Sequence, residues 1–221
     1  MLVLIPLFPL HVVLFPGAAL PLHVFEPRYR EMMTEVLGME KVPNPESGFG
    51  VVCIRAGYEV GAPAETHDVG CLASVEQAVR HKDGTMDLVV RGTQRFRIDE
   101  RPPDDPYPRA TVTVLDEKPG RAADRAVQLA RAALDRYLAV IARFADKESP
   151  EVTLPSDPIA ASFAASALLA VDPPVLQELV EAKTASDRLT RVARIARSEA
   201  HLLETVGPPV PRPPVDRASL N

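Results

Sequence analysis

The architecture of this chain is indicated by its first residues, which read Leu4-Ile5-Pro6-Leu7-Phe8-Pro9-Leu10, then Val13-Leu14-Phe15-Pro16-Gly17, then Leu20-Pro21-Leu22-His23-Val24-Phe25-Glu26-Pro27-Arg28. This segment is too apolar for a surface position. Its prolines exclude a continuous helix, because proline fixes φ and lacks an N–H donor. The pattern therefore predicts short strands that are joined by tight turns.

The same segment is apolar enough to raise two other interpretations, a secretory signal peptide and a membrane span. No Lys or Arg precedes the apolar residues and no small-x-small cleavage site is well placed, which argues against a signal peptide. The prolines would leave backbone groups unpaired in hydrocarbon, which argues against a span. We therefore expect no membrane association and a cytoplasmic location.

Short alternating apolar runs continue as far as residue 118 and predict further β-strands. Asp83-Gly84 predicts a tight hairpin turn, and Gly92 predicts a bulge or bend that helps a small barrel to turn a corner. The runs that carry the strand prediction are Val51–Arg55, Leu88–Arg91 and Ala110–Leu115.

One helix is predicted inside this half of the chain, from Pro27 to Leu37. Pro27 suits the first helical position and Gly38 suits the end of the helix. Its apolar stripe consists of Tyr29, Met32, Met33, Val36 and Leu37. Residues 39–48 are predicted to be an exposed loop.

After Gly120 the apolar spacing becomes helical, beginning with Val127, Ala130, Leu134 and Leu138. Asp157-Pro158 and Asp172-Pro173 each place a capping carboxylate before a proline of a first helical turn, and a last helix is predicted from Thr184. We therefore predict a β-barrel domain over residues 1–118, a helical bundle over 121–206 and a disordered, proline-rich tail over 207–221.

Composition and charge narrow the classes of protein that fit this chain. Its 221 residues are 46% hydrophobic, which is enough for a sizeable core. Residues 1–118 hold 12 Lys or Arg and 17 Asp or Glu, and this acidic balance makes a nucleic-acid partner unfavourable. Cys53 and Cys71 lack C-x-x-C spacing, so we expect reduced, buried thiols, with a disulfide between them as the alternative.

Three blocks of sequence resemble one known family. The opening block resembles the amino-terminal, substrate-binding domain of Lon proteases, and in particular its stand-alone relatives that lack the ATPase and peptidase domains. A second block, Val69–Ala73, Asp83-Gly84 and Gly92–Ile98, is similar to the family pattern in order and spacing. A weaker third block, Leu176–Glu181 with Ser186–Leu189, resembles the helical segment that follows the barrel in Lon.

The resemblance implies an α+β fold, with a PUA-like small β-barrel that contains one internal helix and is followed by an α-helical bundle. It also implies a non-catalytic peptide- or protein-binding module that recruits unfolded clients for proteolysis, with a protease as one partner. Two alternatives stay open at this stage. One is a PUA-like RNA-binding protein, and the other is a protein that carries a peptidase family name without its own active site.

The sequence contains no motif of a nucleotide-binding or hydrolytic enzyme. It lacks G-x-x-x-x-G-K-[ST], G-x-S-x-G and H-E-x-x-H, and nothing in it resembles the Ser-Lys peptidase segment of Lon. The histidines, which are His11, His23, His67, His81 and His201, share no ligand-like spacing. We therefore predict no catalytic residue, no cofactor and no metal.

Four residues are the candidates for contact with a bound peptide: Glu26, Arg28, Arg95 and Arg97. Glu26 either contacts a ligand, or it caps the first helix or pairs with Arg28. If Phe96 points into the barrel, both Arg95 and Arg97 point outward, either to grip a client carboxylate or carbonyl or as part of an ordinary charged face.

Arginines also recur along one face of the last predicted helix, at Arg188, Arg191, Arg194 and Arg197. Such a ladder contacts phosphates in some proteins, but a solvated helix face is the expectation here. The sequence leaves the oligomeric state open, because no heptad pattern is sustained.

Overall fold

The computed structural model describes residues 2–38, 48–60, 64–104 and 106–207. The loop predicted at 39–48, apart from Gly48, and the tail predicted beyond Gly207 lie outside the described residues.

The strands of the first half are β1 (Leu2–Leu10), β2 (Ala19–Val24), β3 (Phe49–Ala56), β4 (Glu65–Thr66), β5 (Val69–Arg80), β6 (Met86–Glu100) and β7 (Arg109–Val114). Five of them form a closed ring in the order β1-β7-β6-β5-β3, and β3 then pairs with β1. The β1–β3 pair is parallel and the other pairs of the ring are antiparallel. β2 pairs with β6 outside this ring, and β4 pairs with β3.

Phe96 occupies the barrel interior, where it is fully buried among Ile5, Val52 and Val112. Glycines on β3 and β5 make room for its ring. A Cβ added at Gly50 would lie 2.6 Å from Phe96 Cζ. The alternation predicted for this strand is confirmed, because residues on either side of Phe96 point out of the barrel.

A second core lies between the barrel and α1 (Pro27–Gly38), which begins and ends where the sequence predicts. Met32 and Met33 are fully buried there. The rings of Phe8 and Tyr29 pack with their centroids 4.4 Å apart. The opening apolar segment thus serves both the barrel and the helix that covers it.

The predicted hairpin and the predicted bulge are both present. Gly84 adopts φ +84° in the turn between β5 and β6, and its N–H donates to the carbonyl of His81. The β5–β6 register shifts between the Cys71–Arg95 and Ala73–Gly92 pairs, which places an extra residue in β6 beside Gly92.

Four helices follow the barrel: α2 (Ala123–Phe144), α3 (Pro158–Ala167), α4 (Pro173–Val180) and α5 (Ala185–Val206). The predicted caps of α3 and α5 are confirmed, since Asp157 accepts from the Ala160 N–H and Thr184 accepts from the Asp187 N–H. The predicted side-chain cap at Asp172 is wrong. Prolines occupy the next two positions, and the first available N–H, that of Val175, donates to the Asp172 carbonyl.

The bundle has its own core, built where α2, α3 and α5 pack together. Leu134, Leu189 and Val192 are fully buried in it. Phe15, from the loop between β1 and β2, belongs to this core and is 2% exposed. The barrel therefore contributes a side chain to the interior of the bundle.

Both cysteines are free and buried, as predicted, so the alternative of a disulfide between them is wrong. Burial raises the pKa of the Cys71 thiol from its ordinary 9.0 to about 12 and also raises that of Cys53. A raised thiol pKa means that the unfolded chain loses the proton first. The buried, protonated Cys71 thiol therefore contributes fully to the free energy of unfolding below pH 9.0, and this contribution is lost as the pH rises to about 12.

Both thiols are expected to resist alkylation by iodoacetamide in the native protein at mildly alkaline pH and to react after unfolding in urea. Burial excludes the reagent, and the raised pKa keeps the thiols protonated. Mass spectrometry of the alkylated chain measures the outcome. Rapid native labelling of Cys71 would contradict its position.

Substituting Gly92→Ala is expected to lower the free energy of unfolding by about 2 kcal/mol. The added Cβ would collide with the carbonyl oxygen of Phe15, which is backbone and has little freedom to move. Urea denaturation measures the loss. The control is Gly38→Ala, where the Cβ meets no described atom within 4 Å. Equal effects of the two substitutions would contradict the tight packing at Gly92.

Candidate functional site

A cleft with a volume of about 660 Å³ opens where the barrel meets the helical bundle. Residues 16–18, 93–95 and 114–117 form its barrel wall. Its bundle wall consists of Pro155, Asp157 and one face of α3. Most side chains that line it are apolar, so the cleft exposes carbon surface to solvent.

Small side chains on α3 create the space on the bundle side. Ala160, Ala164 and Ala167 face the cleft together with Phe163, at the spacing of three and four residues that brings side chains to one helix face. Alanine has good helix propensity, so this face stays helical while projecting little beyond the backbone. The result is an open groove along α3.

The barrel wall is held by hydrogen bonds between the β1–β2 loop and β6. The Gly17 N–H donates to the Gly92 carbonyl at 2.8 Å, and the Gly92 N–H donates to the Ala18 carbonyl at 2.9 Å. Arg91 Nη1 donates to the Gly17 carbonyl at 2.7 Å. Since Phe15 is anchored in the bundle core, this loop joins the two halves and shapes the cleft at the same time.

Arg95 lies at the base of the cleft and is 2% exposed. Its Nε and Nη2 donate to the two oxygens of Glu117, at 2.5 and 3.0 Å. Its Nη1 donates to the carbonyls of Val180 and Ala182 at the end of α4. The negative end of that helix and the carboxylate together offset the buried cation.

Arg188, at the start of α5, is a second buried cation beside the same carboxylate. Its Nη2 lies 3.5 Å from Glu117 Oε2. It also donates to the Leu179 and Ala182 carbonyls and to Ser162 Oγ, and its guanidinium lies 3.9 Å from the centre of the Phe163 ring. Burial, and then the nearby Arg95, lower the pKa of Arg188 to about 10, so it remains a cation at neutral pH.

The structure corrects the prediction for two of these arginines. Arg95 points out of the barrel as the alternation predicts, but the bundle covers it, so it belongs to no exposed charged face. Arg188 is fully buried, and its inclusion in a solvated helix face is wrong. The remaining members of the ladder, Arg191, Arg194 and Arg197, are exposed as expected.

The other predicted contact residues lie away from the cleft. Glu26 and Arg28 form an ion pair at 3.1 Å, and Arg28 also lies over the Tyr29 ring beside a second, smaller pocket of about 60 Å³. Arg97 is exposed and pairs with Asp99 at 3.2 Å. The structure does not bring the four predicted residues together, and a ligand-binding role for each stays a prediction.

Sequence reasoning missed Glu117, Phe163 and the α3 alanines as parts of the site. Their signals are weak in the sequence. Glu117 follows the last strand as one of several acidic loop residues, and Phe163 lies in a run of small residues typical of a buried helix. Pro16 and Gly17 belong to the opening segment, where their sequence predicts only a turn.

Within residues 2–38, 48–60, 64–104 and 106–207, no group of three or more His, Cys, Asp or Glu side chains is arranged to hold a metal ion. In the same ranges, no helix is both long and apolar enough to span a bilayer.

The model of one protein family matches most of the chain. This family is described as the ATP-dependent protease La (LON) substrate-binding domain, and it matches residues 4–198. The chain belongs to this family.

Curated Lon proteases are similar to this Lon-domain chain along much of its length. The Lon protease of Nitratidesulfovibrio vulgaris is 28% identical over 202 residues, which cover 88% of this chain and 24% of that protein. The Lon protease of Parabacteroides distasonis is 32% identical over 120 residues, or 53% of this chain and 14% of that protein. The chain thus spans about a quarter or less of these relatives, and the part it matches is the substrate-binding domain rather than a catalytic one.

Solved structures share the fold. A Lon N-terminal domain protein from Xanthomonas campestris aligns with a TM-score of 0.60 at 26% identity, covering 87% of this chain and 98% of that one. The N-terminal domain of a Mycobacterium avium complex Lon protease aligns with a TM-score of 0.58 at 18% identity, covering 89% and 98%. The predicted α+β architecture of barrel and helical bundle is confirmed.

Substituting Glu117→Gln is expected to lower the free energy of unfolding by about 3 kcal/mol, because two buried guanidinium groups lose their shared counter-charge. Urea denaturation measures this loss. The control is Asp99→Asn, which neutralises the partner of exposed Arg97 and is expected to cost much less, because exposed ion pairs contribute little to stability. Losses of similar size would show that the buried network contributes no more than a surface pair.

Proposed function

We propose that this chain is a non-catalytic polypeptide-binding module that holds an apolar segment of an unfolded client in the cleft between barrel and bundle. The observation that carries the proposal is the cleft itself, which leaves about 660 Å³ of apolar-lined space open at the junction. Volumes in this range are typical of ligand sites. Soluble proteins rarely leave an extended apolar surface open without a partner.

The cleft offers complementary groups to the side chains of a bound peptide and also to its backbone. Apolar client side chains would pack on Ile159, Phe163 and the α3 alanines. The exposed side chain of Gln94 offers an amide donor and an acceptor at the barrel wall, where the client backbone needs both. An unfolded chain presents such segments, whereas a folded protein has buried them.

Delivery of the client to a separate protease is the second part of the proposal. The family is the substrate-binding domain of an ATP-dependent protease, and in this chain the sequence lacks nucleotide-binding and peptidase motifs. In this proposal, energy and bond cleavage come from the partner. RNA binding is disfavoured by the acidic barrel half and by the burial of Arg188.

The Ala160→Trp variant is expected to reduce binding of an unfolded protein at least about tenfold, because the indole would fill the groove along α3. The probe is fluorescein-labelled, reduced and carboxymethylated α-lactalbumin, and fluorescence anisotropy gives its affinity. The matched control is Ala132→Trp, at an exposed alanine of α2 outside the cleft. Circular dichroism verifies that both variants fold.

Several outcomes would contradict the proposal. No affinity of the parent chain for the unfolded probe would end it, as would equal losses in the two tryptophan variants. Cleavage of casein that follows the protein through purification would contradict its non-catalytic part.

A further inference from the structure

The cleft carries two acidic side chains at its rim, one on each wall. Asp116 follows β7 on the barrel side, and Asp157 precedes α3 on the bundle side. Both are exposed. In the part of the chain that the structure describes, neither carboxylate lies within 4.0 Å of a cationic side chain.

The third carboxylate of the cleft, Glu117, differs from these two because Arg95 and Arg188 already surround it. The donors of both guanidinium groups are directed to Glu117, to carbonyls at the end of α4 and to Ser162. Arg95 is therefore committed to the protein's own acceptors. The charges left for a ligand are the two rim aspartates.

Asp157 keeps one oxygen for a ligand while it caps α3. Its Oδ2 accepts from the Ala160 N–H at 2.8 Å, and its Oδ1 makes no hydrogen bond with a described residue. The apolar side chains of Leu115, Ile159 and Phe163 line the same cleft as the two rim carboxylates. The site thus combines apolar walls with negative charge on both sides of its opening.

We propose that the cleft selects client segments in which an apolar residue is flanked by Lys or Arg, and that it disfavours segments flanked by Asp or Glu. This inference rests on the proposed function and names the class of segment that it binds. The apolar residue enters between α3 and the β1–β2 loop, and the flanking cations meet Asp116 and Asp157. The acidic balance of the barrel half adds a field of the same sign.

Binding of three fluorescein-labelled peptides tests the selection. The peptides share a Leu-Phe-Leu centre and are flanked by Lys, by Ser or by Glu. The Lys-flanked peptide is expected to bind more tightly than the Glu-flanked one at low salt. Because exposed ion pairs are individually weak, the expected difference in affinity is limited to about tenfold. The ratio is expected to shrink as salt is added.

A double variant, Asp116→Asn with Asp157→Asn, is expected to reduce that ratio to within about twofold. Asparagine retains the ability to cap α3. The matched control, Asp135→Asn with Glu148→Gln, removes the same charge from exposed positions outside the cleft and should keep the ratio.

The outcomes separate this inference from the proposed function. If the Ser-flanked peptide binds and Ala160→Trp blocks it, while Lys- and Glu-flanked peptides bind equally, the selection is wrong and the cleft remains a peptide site. If the control pair abolishes the ratio as fully as the rim pair, overall charge and not the rim explains it, and the selection is again wrong. If none of the peptides binds, the proposed function fails first.

Discussion

The remaining structure depends on one interaction, in which the half-buried carboxylate of Glu117 lies between two buried guanidinium groups where the barrel meets the bundle. Arg95 comes from β6, Glu117 from the segment after β7 and Arg188 from α5, so three distant parts of the chain must meet. Buried charges are costly unless their hydrogen bonds are satisfied, and here the end of α4 and Ser162 supply the remaining acceptors. Few orientations of bundle on barrel satisfy all of these donors, and the observed one leaves the cleft beside them.

Local rules predicted most of the elements from the sequence. The Asp83-Gly84 turn, the bulge at Gly92 and the caps at Asp157 and Thr184 each have a short-range physical cause, and the structure contains all of them. The prediction that prolines divide the opening segment is wrong for Pro6 and Pro9, which lie within β1, and for Pro21, which lies within β2, whereas Pro16 lies in a turn between the two strands. The site was harder to predict. Strand alternation shows that Arg95 leaves the barrel, but it does not show what covers the outer surface. Helical spacing likewise assigns Arg188 to a polar face, because charged side chains are rarely buried unless they are paired.

The cleft exists because packing between the two halves is concentrated in a few contacts. Phe15 anchors the β1–β2 loop in the bundle core, and Gly92 allows that loop to approach β6 closely. The charged network fixes the base of the junction. Along α3, alanines reach too little to fill the remaining distance. Rigid contacts on either side thus hold open a space that larger side chains on α3 would close.

The closed ring also imposes an order of events during translation. β1 pairs with β3 and with β7, and its partner residues in β7 are made about a hundred residues later. At ordinary elongation rates this delay is roughly 5 to 20 s. The nascent chain therefore carries an apolar strand with an incomplete set of neighbours as it leaves the ribosome. The chain must therefore itself present an apolar segment to the cell before its barrel closes.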